Sequence, residues 1–278
     1  MQKFIVAIDG LKYSVSTYTT AVYLAKQSGA HLVGVFLEDM TYHSFKMYDL
    51  VGEDGASDEK ITQLEERDLK LRTTAVEKFE RICNQAGVDY TIHHDRNIAI
   101  NELLRESMFA DLILINGNET LTHFAENKPT RFIRSLLSET QCPVMIIPDD
   151  YQPVNKISFL YDGEVSSIHA IRTFGYLFPG LKDKSCEVVT VNTKPKQNNQ
   201  TPHAFLIKEF MKRHFPAARY VTMEGIPENE LVKHFQYAKD TLIVLGAYRR
   251  GNLSRWIRQS LADVLMQELR LPLFISHS

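Results

Sequence analysis

Short unbroken apolar runs alternate along this chain with longer amphipathic stretches. Lys3-Phe-Ile-Val-Ala-Ile-Asp9 is apolar throughout and bounded by charges, the pattern of a strand covered on both faces. Gly10 breaks it, and Ser14 or Ser16 stands where a helix cap is wanted, because a side-chain oxygen there can accept from the orphan N–H groups of the first turn. Val15, Tyr18, Val22 and Ala25 follow at helical spacing, Gly29 ends the helix, and His31–Leu37 is a second apolar run. Strand, helix and parallel strand make one right-handed crossover unit. Residues 40–57 break the pattern with three aromatics and two methionines among polar residues and glycines, a loop that packs its own side chains or forms a lid or partner surface. Leu64, Leu71, Val76, Phe79 and Ile82 then mark a long exposed helix over 58–86, stopped by Gly87. A strand is expected at 89–94, a helix at 98–109, a strand at 111–116, a helix at 130–139 and a fifth strand at 143–147.

After the polar linker 149–153 the order restarts. Lys156-Ile-Ser-Phe-Leu-Tyr-Asp162-Gly163 repeats the first strand and its Asp-Gly exit, with Ser166 or Ser167 as the expected cap of the next helix. Strands at 186–192 and 219–223 alternate with helices at 202–214 and 227–238, the latter opened by Pro227, a residue suited to a first helical turn. The stretch 242–277 then reads strand, Gly/Asn/Arg loop, helix, strand, and it echoes 112–148: Gly117 and Gly246 stand 129 positions apart, as do Pro143 and Pro272. The pattern predicts an α/β fold of two tandem doubly wound, Rossmann-like domains, 1–150 and 151–278. Each is βαβαβαβαβ, with a five-stranded parallel sheet in the order 3-2-1-4-5.

Composition narrows the function classes. Of 278 residues 44% are hydrophobic and 24% charged, with a net charge of −2, which is a globular composition without the electrostatic footprint of a nucleic-acid or anionic-membrane binder. No apolar run approaches the roughly 18 residues a membrane span needs. The N-terminus reads as a strand and not as a secretory signal. Cys83, Cys142 and Cys186 are widely spaced and odd in number, which suits buried free thiols in a reducing cytoplasm. His93 and His94 alternate across a strand and so do not face one metal. Trp256 reads as a packing residue of a helix, and no Ser-His-Asp or Cys-His set stands at motif spacing.

The candidate chemistry sits at strand exits. In a doubly wound sheet the ligand crevice lies where strand order reverses, here between strands one and four of each half. That places Asp9 with Gly117 and Asp162 with Gly246. A strand-exit glycine permits positive φ and close approach of backbone N–H groups to a phosphate, while the carboxylate opposite can accept from a ribose or an adenine amino group.

These pieces carry a resemblance. Phe-Ile-Val-Ala-Ile-Asp9-Gly10 with a following Ser, Ile-Asn-Gly117, Val-Leu-Gly246-Ala-Tyr, and the closing Cys-Pro143-Val-Met-Ile-Ile and Leu-Pro272-Leu-Phe-Ile resemble the universal stress protein family, in a tandem arrangement over essentially the whole chain. The resemblance implies the 3-2-1-4-5 order, pairing of domains through their fifth strands, a stress-survival role without catalysis, and in many members ATP held by a Gly-x2-Gly-x9-Gly-Ser/Thr loop after the fourth strand. Carried over, that loop departs from the family's pattern in both halves. Gly246 and Ser260 stand at its ends in the second half, with Arg249 and Gln259 at two glycine places and Gly251 as a displaced hinge. Gly117 remains in the first, with Thr120 and Thr130 at the later glycines and Arg131 at the hydroxyl; a shift of one residue lets Thr130 supply that hydroxyl.

The expected function is therefore a non-catalytic stress-response protein with altered nucleotide loops. Its halves form an intramolecular pseudo-dimer through 143–147 and 271–276, and a homodimer of chains is a further possibility. The alternative is a sensor of ATP or another adenine nucleotide in the second domain, using Asp162, Gly246, Ser260 and the arginines 249, 250, 255 and 258. A third reading, an enzyme of the wider adenine-nucleotide α-hydrolase-like group, is disfavoured because Gly10-Leu-Lys-Tyr-Ser14 lacks that group's phosphate loop.

Overall fold

The computed structural model describes residues 1–38, 44, 58–95, 97–122, 124–150, 153–193, 201–246 and 260–277. The loop 40–57, apart from Ser44, and the second nucleotide loop 247–259, with Arg249, Arg250, Gly251, Arg255, Trp256, Arg258 and Gln259, lie outside the described residues.

The first half runs β1 (Lys3–Asp9), α1 (Val15–Ser28), β2 (His31–Leu37), α2 (Asp58–Ala86), β3 (Tyr90–Asp95), α3 (Ala99–Ser107), β4 (Leu112–Asn116), α4 (Arg131–Glu139) and β5 (Val144–Ile147). The second runs β6 (Lys156–Leu160), α5 (Val165–Leu177), a 3-10 turn (Pro179–Leu181), β7 (Ser185–Asn192), α6 (Ala204–His214), β8 (Arg219–Glu224), α7 (Pro227–Phe235), β9 (Thr241–Gly246), α8 (Leu261–Glu268) and β10 (Leu273–Ser276). All ten strands form one sheet in the order β3-β2-β1-β4-β5-β10-β9-β6-β7-β8. Each half thus has a parallel sheet of order 3-2-1-4-5. β5 and β10 pair antiparallel, with Met145 opposite Phe274.

The unbroken apolar runs are explained by two cores, one on each sheet face. Phe4, Val6 and Ile8 point into the core under α1, α2, α5 and α6, while Ile5 and Ala7 point into the core under α3, α4, α7 and α8. The first core crosses the junction between halves, where Phe178 lies 5.7 Å from Phe4 and 6.2 Å from Phe274 between ring centroids. Burying such rings stabilises by roughly 1.5–3 kcal/mol each, so the halves share apolar packing as well as a strand pair. Cys83, Cys142 and Cys186 are free and buried, and burial pushes their thiols up to about 12, 12 and 11. Among the described residues no helix is long and apolar enough to cross a membrane.

Helix boundaries follow local chemistry, with one departure. Ser14 caps α1 by accepting from Thr17 N, and Gly29 closes it at φ 66°. In the second half neither Ser166 nor Ser167 caps α5; both lie inside it, and Glu164 is the N-cap without a side-chain bond. The chain has already turned there. Asp162 Oδ1 accepts from Glu164 N at 2.9 Å, and Gly163 adopts φ 90°, so the helix begins immediately and Ser167 instead donates to Glu164 O.

Candidate functional site

The two crevices open where β1 and β6 leave the sheet beside β4 and β9, the neighbours that mark the switch in strand order. Each first strand ends in an aspartate that makes the same local turn. Asp9 Oδ1 accepts from Leu11 N at 2.8 Å, and Asp162 Oδ1 accepts from Glu164 N. Their surroundings differ. Asp9 is 2% exposed, whereas Asp162 faces solvent.

The first crevice is filled by the chain's own polar groups. Glu119, in the loop after β4, is buried beside Asp9, and its Oε1 accepts from the N–H groups of Thr120 and Leu121, both at 2.9 Å. Burial first, then the neighbouring Asp9 charge, push its carboxyl up to about 7, against the two backbone donors and Lys12. Lys12 Nζ donates to Thr122 O at 2.6 Å, tying the turn after β1 to the same loop. Thr130, expected as a phosphate-facing hydroxyl, caps α4: its Oγ1 accepts from Ile133 N at 3.2 Å and donates to Glu119 O. The loop's left-handed residue is Leu121, at φ 47°, one position beyond Thr120. A non-glycine residue there costs roughly 1–2 kcal/mol, which the two N–H bonds to Glu119 help offset.

Gly117 does not offer its amide to a ligand. Its N–H donates to Ile147 O at 2.9 Å, and a Cβ there would lie 3.0 Å from Ile146 Cγ2. The glycine serves close packing of β4 on β5, not positive φ. The exit of β4 is held further by Asn116, whose Nδ2 donates to Ser14 Oγ and Asp149 Oδ1, and by Asn118 N donating to Asn116 Oδ1 at 2.7 Å. Sequence reasoning missed Glu119, Asn116, Asn118 and Asp149. The one signal available was the polar run Asn116-Gly-Asn118-Glu119 leaving a strand directly opposite Asp9.

The second crevice brings Asp162 and Gly246 together. With Ser167 and Leu261 they line a cleft of about 80 Å³, small against the ~300 Å³ at which small-molecule sites begin. Gly246 also lies outside the left-handed region. A Cβ on it would fall 2.3 Å from the carbonyl carbon and oxygen of Ser166 and 2.8 Å from Ser167 N, so the first turn of α5 sits directly on this glycine. Ser260 caps α8 in a reciprocal box: Asp263 N donates to Ser260 Oγ at 3.1 Å, and Ser260 N to Asp263 Oδ2 at 3.4 Å. Thr130 and Ser260 are therefore equivalent helix caps, which places the first-half loop in the shifted register.

No protein-family model matches the chain. It is 20% identical over 288 aligned positions to a universal stress protein of Synechocystis, covering 98% of both chains. A crystal structure of a universal stress protein from Archaeoglobus fulgidus superposes with a TM-score of 0.71 at 14% identity, covering 99% of this chain and 98% of that one. The fold is that of a tandem universal stress protein. A second solved structure, a protein of unknown function from Pseudomonas aeruginosa, covers 100% of this chain and 92% of its own with a TM-score of 0.58 at 14% identity.

Within the universal stress protein fold, a further pair of ionic clusters marks the opposite ends of the first strands. Glu106 takes Lys3 Nζ at 2.9 Å and His93 Nδ1 at 2.7 Å. Glu187 takes Lys156 Nζ at 2.8 Å, His234 Nε2 at 3.0 Å and Ser158 Oγ at 2.7 Å. The carboxylate is on the helix in one half and on the strand in the other. Burial alone would raise the Glu187 carboxyl, but the bonds from His234, Lys156 and Ser158 outweigh it and hold it at about 2. His94 bonds Glu38 at 3.3 Å, so the two adjacent histidines serve different carboxylates. These clusters lie far along the strands from the crevices and read as anchors of strand to helix.

Proposed function

We propose that the chain acts as a non-catalytic two-domain stress-response protein in which the first crevice has been given over to structure. The observation that carries this reading is Glu119 buried against Asp9, a second carboxyl that fills the crevice and adds negative charge as pH rises through about 7. Two anions in a low-dielectric site repel a third strongly. The hydroxyls and glycines that the family's loop would turn to a ligand are here engaged in caps and in strand or helix packing. The β5–β10 pair supports reading the two halves as an intramolecular pseudo-dimer.

The second crevice favours an additional reading, an adenine-nucleotide sensor, because Asp162 is exposed beside Gly246 and Leu261. The experiment is incubation of the purified full chain with ATP, following released phosphate, alongside calorimetric titration with ATP, ADP and AMP. The expected result is no hydrolysis above buffer and no binding that survives Asp162→Ala. Turnover lost in an Asp9→Asn or Asp162→Asn variant would overturn the non-catalytic reading.

A further inference from the structure

On the sheet face away from the Asp162 cleft, α5 and α6 leave a groove between them of about 390 Å³, within the range of small-ligand sites. α5 contributes Val165, Ile168, His169 and Arg172, spaced i, i+3, i+4, i+7, and α6 contributes Leu206 and Phe210 at the matching spacing, so two helical stripes face each other. The first half shows what covers this place in the other copy. Counted from the Asp-Gly exits, which stand 153 positions apart, Tyr18 of α1 corresponds to Ile171 of α5 and Thr19 to Arg172. Tyr18 is 1% exposed under the 29-residue α2, packed on Phe79 at 5.5 Å, and Val22 is buried beside it. α6 has only 11 residues, and Val165 and Leu206 stay 71% and 59% exposed.

Arg172 lies on the exposed side of α5, at the groove. Arg172 makes no ion pair or hydrogen bond among the described residues. Its charge, after burial, helps hold the His169 and His214 imidazoles below their usual range, and Lys182 adds to the same field at His214. The groove's acid, Glu164, caps the start of α5, two turns away from Arg172. Apolar walls with one cation, Arg172, beside the His169 imidazole call for a molecule with an apolar body and a single anionic head.

We propose that this groove binds a small amphipathic carboxylate, its head held by Arg172 and His169 and its apolar chain laid between Ile168, Leu206 and Phe210. The test is calorimetric titration of the full chain at pH 7 with decanoate, decanol and decyltrimethylammonium, with the histidine ring resonances followed by NMR. The expected result is saturable decanoate binding that shifts the His169 ring and exceeds decanol at least tenfold. Arg172→Glu should weaken decanoate about tenfold, the equivalent of ~1.4 kcal/mol, and leave decanol unchanged, while Leu206→Asp weakens both. Both positions are exposed, so circular dichroism should show the folded chain in each variant. Equal binding of decanoate and decanol, decanoate binding indifferent to Arg172→Glu, or no saturation would overturn the proposal. So would a groove closed by a second copy of the chain, seen in sedimentation velocity as a dimer that Leu206→Asp dissociates.

Discussion

Glu119→Gln isolates the buried carboxylate that closes the first crevice. Gln keeps the shape and an acceptor oxygen for Thr120 N and Leu121 N, and removes the charge. In the folded chain the Glu119 carboxyl is displaced from 4.5 to about 7, by burial and then by Asp9. At ~1.36 kcal/mol per pH unit, the charged form is about 3 kcal/mol costlier in the folded chain than in the unfolded one; loop relaxation and entering water reduce this to about 1–3 kcal/mol. The sign follows from linkage. A folded-state value above the unfolded one contributes stability that is fully present below pH 4.5 and lost as pH rises through 7. Urea unfolding at pH 5 and pH 8 should therefore show wild type and Glu119→Gln nearly equal at pH 5. At pH 8 the variant should be more stable by about 1–3 kcal/mol. A variant clearly less stable than wild type at pH 8 would refute the reasoning, because the charge would then be paired and stabilising.

Three further groups of substitutions test the packing, anchoring and capping. Gly246→Ala drives a Cβ to 2.3 Å from the Ser166 backbone and should cost about 3 kcal/mol, at the upper end of overpacking effects. Gly117→Ala presses on the Ile146 side chain at 3.0 Å and touches Ile147 O at an ordinary 3.7 Å, and should cost under ~1 kcal/mol by chemical denaturation. Glu187→Ala removes the acceptor of Lys156, His234 and Ser158 and, because Lys156 and His234 are partly exposed, should destabilise by about 1–3 kcal/mol. Because the Glu187 value is depressed to about 2, its contribution is present above pH 4.5 and lost as pH falls toward 2, so Glu187→Gln should flatten the acid limb of a pH–stability profile. Thr130→Ala and Ser260→Ala each remove a helix cap and should cost about 1 kcal/mol by thermal melting, with Thr130 the larger because Glu119 O also loses its donor.

The architecture was legible because its determinants are local and repeated. Unbroken apolar runs ending in Asp-Gly, glycines closing helices at 29 and 87, and the offset shared by Gly117/Gly246 and Pro143/Pro272 each reflect a backbone requirement that sequence states directly. The site was less legible, because the same residue types serve packing and binding. Gly246 matches a phosphate-loop glycine in sequence, yet what approaches it is the backbone of Ser166, a contact fixed only when α5 docks. Thr130 and Ser260, read as candidate phosphate-facing hydroxyls, are helix caps in the structure, and a hydroxyl that can cap a helix or meet a phosphate looks the same in sequence. Ser166 and Ser167 misled because the Asp162 turn starts α5 early. Glu119 gave almost no sign: a glutamate in a polar loop reads as solvated until the fold sets it against Asp9. Arg172 was invisible for the opposite reason, since a charge on an amphipathic helix is ordinarily unremarkable and gains meaning only from the apolar groove beside it.

With the first crevice closed by the chain's own carboxylates, the Asp162 crevice is left, among the described residues, as the strand-exit site open to a nucleotide. Calorimetric titration of the full chain and of Asp9→Ala and Asp162→Ala with ATP and AMP measures this directly. At most one equivalent should bind per chain, unchanged in Asp9→Ala and abolished in Asp162→Ala. Two equivalents, or one that survives Asp162→Ala and disappears with Asp9→Ala, would contradict it.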